Sequence, residues 1–462
     1  MKRLSVLILA GGKGTRLKSN LPKVLHRLAG KPLIEYVVEA ASPLKPSAVW
    51  VVVGYQADQV RKTLSHLPLQ FVVQEPQLGT GHAVQVARQS WEGQAGHLLI
   101  LSGDVPLIST QTIETLVTEH ERSGVSATLL STVLDKPQGY GRVVRGEDRS
   151  VERIVEENDA SAKERQIREI NTGIYCFAVS ELAAVIGKLA AANAQKEYYL
   201  TDCIGLLREQ KKAVAAIVCE DSREVSGINS RLELSQLEHL VRAKKLDRLM
   251  RDGVTIVDPS STYVETDVEV GADTVLYPNV YLESRSKIGS GCQIYPNVRI
   301  SGSVVGNEVV IFDSCLITNS EIRSGAQIGP FAHLRGPVVA GRNVRIGNFV
   351  EVKNSQIGDR TKAAHLSYLG DAQIGEDVNI GAGTITCNYD GVSKHKTVIE
   401  NGVFVGSDSQ LIAPVTIHRG AYIAAGSTIQ QNVPEDALAI ARSRQVNKEN
   451  WARKKRPSRR KE

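Results

Sequence analysis

The hydrophobic rhythm of the chain changes once, and the change divides it. Up to about residue 228, short apolar runs alternate with stretches of helical spacing. "LSVLILA" (4–10), "AVWVVVG" (48–54), "LQFVVQ" (69–74), "HLLILSGD" (97–104) and "GIYCFAV" (173–179) are apolar at nearly every position. That is the pattern of strands covered on both faces. "GHAVQVARQSW" (81–91) and "STQTIETLVTEHERSG" (109–124) place their apolar residues at helical intervals. The alternation predicts an α/β domain with a mainly parallel sheet, whose ligands bind beyond the carboxyl ends of the strands. The glycine loop after the first run and Asp104 after the fourth both fall at such an end.

Between Ser230 and Arg251, leucines at 232, 237, 240, 246 and 249 are interleaved with charges, and Gly253 follows. This predicts an amphipathic connecting helix with a glycine stop. Beyond it the period becomes six: Val264, Val270, Leu276, Leu282, Ile288, Ile294 and Ile300. The register then shifts, a change read here as insertions. It returns at Ile322, Ile328 and Leu334, at Ile374 and Ile380, and at Val405, Leu411, Ile417, Ile423 and Ile429. Six-residue units of this kind form a parallel β-helix, three units to a triangular turn, with the apolar position on the axis. The stretch "HLSYLGDAQIGEDVNIGAGTITCNYDG" (365–391) breaks the repeat with polar and aromatic residues, as a binding face does. The expected organisation is a domain at 1–228, a helical linker at 229–252, a β-helix at 253–442 and a tail at 443–462.

Charge changes the picture only at the tail. The formal net charge is +6, and "RKKRPSRRKE" (453–462) carries seven cations against one anion, which accounts for all of it. The rest of the chain is balanced, so a solvated, disordered tail is expected rather than a nucleic-acid face. No apolar stretch is long enough to span a membrane, and no signal peptide is read at the start. The six cysteines are scattered without a Cys-x-x-Cys pair, which suits free thiols in a reducing cytoplasm.

The loop "AGGKGTR" (10–16) has the glycines of a phosphate cradle but fits neither common pattern. Lys13 precedes the last glycine instead of following it, so this is not a Walker loop, and Leu17 stands where the dinucleotide fingerprint needs glycine. In the second half, "GNFVEVK", "AHLSYLGD", "CNYDG" and "VFVGSDSQLIAPV" accompany the repeat. With "GKGTR…LPK", "QLGTGHA", "GDVPL", "GYGR", "EINTGIY", "EYYLTD" and "GIN", they make the chain resemble one bacterial enzyme family along nearly its whole length. Its members acetylate glucosamine 1-phosphate and then uridylylate the product to UDP-N-acetylglucosamine, a precursor of peptidoglycan and lipopolysaccharide. The resemblance implies a Rossmann-like α/β nucleotidyltransferase domain, a left-handed β-helix and a cytoplasmic homotrimer, with Mg²⁺ as cofactor and UTP and acetyl-CoA as co-substrates.

Residue by residue, the resemblance puts Leu9, Ala10, Gly11 and Gly12 against uracil, ribose and phosphates, with Arg16 and Lys23 as the cations. Gln74, Gly79 and Thr80 match positions for the base, and Gly141, Glu156 and Asn171 match positions for the sugar. Asp104 and Asn229 suit the sparse oxygen set that Mg²⁺ accepts. In the β-helix, His365 is the candidate general base, because histidine titrates near working pH. Arg335 and Lys353 match positions for the sugar phosphate, and Tyr368 and Asn379 positions that orient the sugar. Ala382, Asn388, Tyr389, Ser407, Ala425 and Arg442 match the acetyl-CoA site. Two departures stand out: Ser102 where the family commonly has an aromatic, and His333 where it usually has arginine. A single-activity nucleotidyltransferase with a scaffold β-helix, and a non-catalytic interaction protein, are the competing readings.

Overall fold

The computed structural model describes residues 3–456 and divides into two compact units, Met1–Leu240 and Val241–Glu462. In the first unit a nine-stranded sheet runs in the order 214–219, 127–133, 169–178, 97–102, 4–10, 49–53, 70–73, with a hairpin of 142–145 and 151–155 beside 169–178. Along that path every strand is parallel to its neighbours except 169–178, which is antiparallel to both of the strands it separates. The runs are apolar throughout because each strand feeds two cores. Leu7, Trp50, Val52, Leu98 and Ile100 enter one hydrophobic cluster, whereas Val6, Ile8, Val51, Val53, Leu99 and Leu101 enter the other. Side chains alternate across a strand, so helices on both faces demand apolar residues at odd and even positions alike.

The stretch 109–124 forms the helix Thr110–Ser123, with the Ser109 hydroxyl accepting the Thr112 N–H and Gly124 closing it in the left-handed region. The stretch 81–91 is interrupted at Ala87 into Thr80–Val86 and Arg88–Trp91. The connecting helix runs Arg231–Arg251, and the boundary between the two units falls inside it.

In the second unit, apolar side chains stack in three columns about one axis. Leu276, Ile294, Ile311, Ile328, Ile346, Ala363 and Ile380 follow one another up the first sheet. Leu282, Ile300, Ile317, Leu334, Val352 and Leu369 climb the second. Ile288, Val305, Ile322, Ala340, Ile357 and Ile374 climb the third. All lie in a single buried cluster.

These columns also correct the reading of the register shift. It is mostly a shortening, not an insertion. Between the second and third columns the step falls from six residues to five at 300→305, 317→322, 352→357 and 369→374. The shortened corners turn on Gly302, Asn319, Asn354 and Asp371, all with positive φ. Glycine, asparagine and aspartate are the residues that enter that region at least cost. One true insertion sits at the same corner, between Thr386 and Ile399.

All six cysteines are free thiols. Among the described residues, no helix is long and apolar enough to cross a membrane. Residues 457–462 of the basic tail lie outside the described residues; ahead of them, Trp451–Lys455 forms a short helix with no buried residue. Ile311 sits fully buried in the first column. Ile311→Ala should lower unfolding stability by about 2–5 kcal/mol, and urea titration followed by circular dichroism measures it; a loss within error would mean that the axis is not the load path of this unit.

Candidate functional sites

The first unit gathers its candidate residues where the strands end. Ala10 closes the first strand and Ser102 the fourth run, so the glycine loop and Asp104 emerge side by side. A cavity of about 390 Å³ opens there, lined by Leu9, Ala10, Gly11, Gly12, Lys23, Gln74, Gly79, Thr80 and Asp104 among others. At Gly11 space is tight: a Cβ there would lie 2.7 Å from Gln74 Oε1, so the Gln74 amide would have to shift. Gly14 is required by both space and backbone, with φ of +65° and a Cβ position 2.7 Å from Lys23 Cβ. Any larger residue would push Lys23 out of the site.

Lys23 is the hub. Its ammonium forms an ion pair with Asp104 and donates to Asn229 Oδ1 at 2.8 Å, while Arg16 Nη2 donates to the same oxygen at 2.8 Å. Asp104 and Asn229 lie far apart in sequence, yet their oxygens share one ammonium. Two oxygen donors converging on a cation are a donor set suited to Mg²⁺, which keeps its waters and substrate phosphates as remaining ligands. Among the described residues, no group of three or more His, Cys, Asp or Glu side chains could hold a metal.

Gln74 is oriented by donating to Gly79 O at 2.9 Å, and Thr80 Oγ1 accepts the Leu200 N–H at 3.1 Å. Gly141, Glu156 and Asn171 cluster together on the hairpin and its neighbouring strand. The Asn171 N–H donates to Gly141 O at 2.9 Å, and Thr201 Oγ1 donates to Glu156 Oε1 at 3.2 Å. Glu156 lines a second cavity of about 470 Å³, with Tyr199, Thr201 and Asp202. Burial pushes its carboxyl above the usual range, with smaller contributions from Asp202 and Asp159 against the Thr201 hydrogen bond. Lys13, Gln77, Ser102 and Glu197 also line the first cavity; the sequence motifs contain Lys13, Gln77 and Glu197 without giving them a role, and Ser102 stands there as a departure.

In the second unit the candidates occupy one corner and the faces beside it. His365 follows Ala363 at the corner between the first and second columns, and Ala382, Ser407 and Ala425 take the same corner on later turns. The Asp408 N–H donates to Ala382 O at 2.7 Å, the Gly426 N–H to Ser407 O at 2.8 Å, and Arg442 Nη1 to Ala425 O at 2.8 Å. His365 Nδ1 lies 2.7 Å from Asn348 Oδ1 one turn below. In the tautomer with Nδ1 protonated, the ring donates to this amide oxygen and Nε2 is left as the acceptor. Sequence reasoning missed Asn348; the offset of one turn, seventeen residues, was the signal that could have found it.

On the second sheet Arg335 and Lys353 stand in register on adjacent strands. Tyr368 belongs to the ladder that holds Glu351 and, one strand earlier, His333. Asn388 opens the inserted corner, donating to Asp371 Oδ2 at 2.5 Å and to the Tyr368 hydroxyl at 3.5 Å. Tyr389, farther out on the insertion, is exposed and donates its hydroxyl to Gly391 O at 2.6 Å. Asn379 stands apart from these, on the outer face of the first sheet between Lys362 and Phe404.

The MobA-like NTP transferase domain family matches residues 6–256, and the bacterial transferase hexapeptide family (six repeats) matches residues 396–431. Proteins called bifunctional protein GlmU are similar along nearly the whole chain. That of Trichlorobacter lovleyi is 48% identical over 98% of both chains. That of an Exiguobacterium species is 49% identical over 98% of this chain and all of its own. That of Trichormus variabilis is 49% identical over 97% and 98%.

A carboxyl raised by burial stabilises the fold below the pKa of the unfolded chain and loses that stability as pH rises through the folded value. Glu156→Gln keeps an acceptor for Thr201 without the charge. Its melting temperature should exceed the parent's at pH 8, with the difference vanishing near pH 4; an equal shift at both values would point to packing instead.

Proposed function

The chain belongs to the GlmU family and is a bifunctional enzyme with a uridyltransferase and an acetyltransferase activity, and from that premise we propose where each reaction takes place and which residues perform it. Uridylyl transfer belongs to the cavity at the strand ends. The phosphate oxygen of N-acetylglucosamine 1-phosphate attacks the α-phosphorus of UTP, and pyrophosphate leaves. Such a reaction needs alignment and neutralisation of charge more than covalent participation. Gly11 and Gly12 let the backbone approach the triphosphate, Arg16 and Lys23 meet its charge, and Gln74, Gly79 and Thr80 receive the base. Gly141, Glu156 and Asn171 receive the sugar. Asp104 and Asn229 would hold Mg²⁺, which supplies further neutralisation of the phosphates when bound. The observation that supports this reading above others is the convergence of Lys23, Arg16, Asp104 and Asn229.

Acetyl transfer belongs to the β-helix. The amine of glucosamine 1-phosphate attacks the thioester carbonyl of acetyl-CoA, its proton passes to His365 Nε2, and CoA leaves as the thiol once it is reprotonated. Asn348 holds the ring in the tautomer that leaves Nε2 free. Arg335 and Lys353 take the sugar phosphate and Tyr368 orients the sugar, joined by the Asn379 that a neighbouring copy in the trimer supplies, and Ala382, Asn388, Tyr389, Ser407, Ala425 and Arg442 line the path of CoA. Homotrimer formation fits the surface. Phe331, Phe349 and Leu366 stand beside His365's corner on successive turns, 51%, 55% and 61% exposed, all with positive φ. Phe331 and Phe349 stack with ring centroids 5.3 Å apart. Bulky apolar residues in that backbone region, left open to water, are accounted for by a second copy that covers them.

With glucosamine 1-phosphate and Mg²⁺, adding acetyl-CoA should release CoA, and adding UTP next should release pyrophosphate. His365→Ala should slow CoA release by about 10²–10⁴ and spare pyrophosphate release from the acetylated sugar; Lys23→Ala should do the reverse. Both activities falling together in either variant would refute the division. Phe349→Asp should lower the mass seen by light scattering and suppress CoA release alone; an unchanged mass would remove that surface from the assembly.

A further inference from the structure

The connecting helix starts inside the uridyltransferase site, and its first turn is wired to Asn229. Ser230 and Glu233 form a reciprocal cap: Ser230 Oγ accepts the Glu233 N–H at 3.2 Å, and Glu233 Oε2 accepts the Ser230 N–H at 3.1 Å. A capping box asks for no more than these two bonds. The same carboxylate oxygen makes a third and shorter bond, 2.6 Å, to the N–H of Asn229, one residue before the capping Ser230. Asn229 is then fixed from its other end, because Nδ2 donates to Gly227 O at 3.2 Å. With its backbone N–H and its amide nitrogen both committed, Asn229 turns Oδ1 toward Lys23 and Arg16. The adjoining Ile228 N–H donates to Asp104 O at 3.0 Å, tying the two oxygen donors to one piece of backbone. Glu233 also shares an electrostatic neighbourhood with Asp104: burial, then Glu233, then Asp104 push the Tyr140 hydroxyl up.

We propose that Glu233 is a positioning residue for uridylyl transfer, acting through Asn229 to aim its amide oxygen at the metal and phosphate charges. This rests on the reading of Asn229 as a metal ligand given above. Partners that orient a metal ligand typically change metal affinity or activity by about 10–100-fold when removed. Because both N–H bonds end on a single oxygen, a glutamine carbonyl can replace it, whereas alanine cannot and aspartate is one methylene too short.

The test is calorimetry of UTP binding to the full chain, with and without Mg²⁺ and without sugar phosphate. Glu233→Ala and Glu233→Asp should lose about tenfold or more of the gain in UTP affinity that Mg²⁺ brings, while keeping the Mg²⁺-free affinity. Glu233→Gln should keep both, and CoA release should be unchanged in all three, which reports an intact chain. A cap that is merely structural would leave the Mg²⁺-dependent gain alone. If Asn229→Ala loses the gain but Glu233→Ala and Glu233→Asp retain it, the positioning role is overturned and the ligand survives. If Asn229→Ala itself retains the gain, the reading of Asn229 falls, and the role of Glu233 with it. Should Glu233→Ala lose CoA release as well, Glu233→Asp decides.

Discussion

Burial is the constraint from which the chemistry of this protein follows. The strands of the first unit are packed on both sides, and those of the second point one column of side chains from each of three faces onto a closed axis. The first arrangement spares no face for polar groups, whose burial without partners would be costly, and the second leaves them only its outer face. Function is confined to what burial leaves over: strand ends in one unit, corners and outer rows in the other. Gly11, Lys23 and Asp104 are residues of ends, and His365, Ala382 and Ser407 are residues of a corner.

Confinement also explains which parts of the sequence could be read. Apolar runs and a period of six are direct imprints of burial, so both folds were visible before any coordinates. The shift of register was visible but misread. A one-residue shortening and an insertion perturb a periodic pattern alike, and only the columns show that Gly302, Asn319, Asn354 and Asp371 each shorten a corner. The nucleotide site had no such imprint. Lys23 and Asn229 meet across 206 positions, a separation that no periodicity marks, and family resemblance rather than physics drew them together. The pattern Ser-x-x-Glu at 230–233 was legible as a helix start, yet nothing in one dimension said that its glutamate reaches past the helix to Asn229.

The two sites handle charge differently. In the first, two cations converge on one amide oxygen, so positive charge is concentrated at the strand ends. In the second, Arg335 and Lys353 stand in register on neighbouring strands, and like charges side by side are costly unless an anion joins them. Glu351 relieves part of that cost by pairing with Arg335 at 3.4 Å.

The helix that links the units matters for anyone who would separate them. A cut at residue 228, where the apolar rhythm ends, would keep the sheet but remove Asn229, the acceptor shared by Lys23 and Arg16, together with its cap. The first turn of the helix is therefore part of the first unit and not a spacer, because Glu233 on it holds Asn229, and any version of that unit made alone has to carry it.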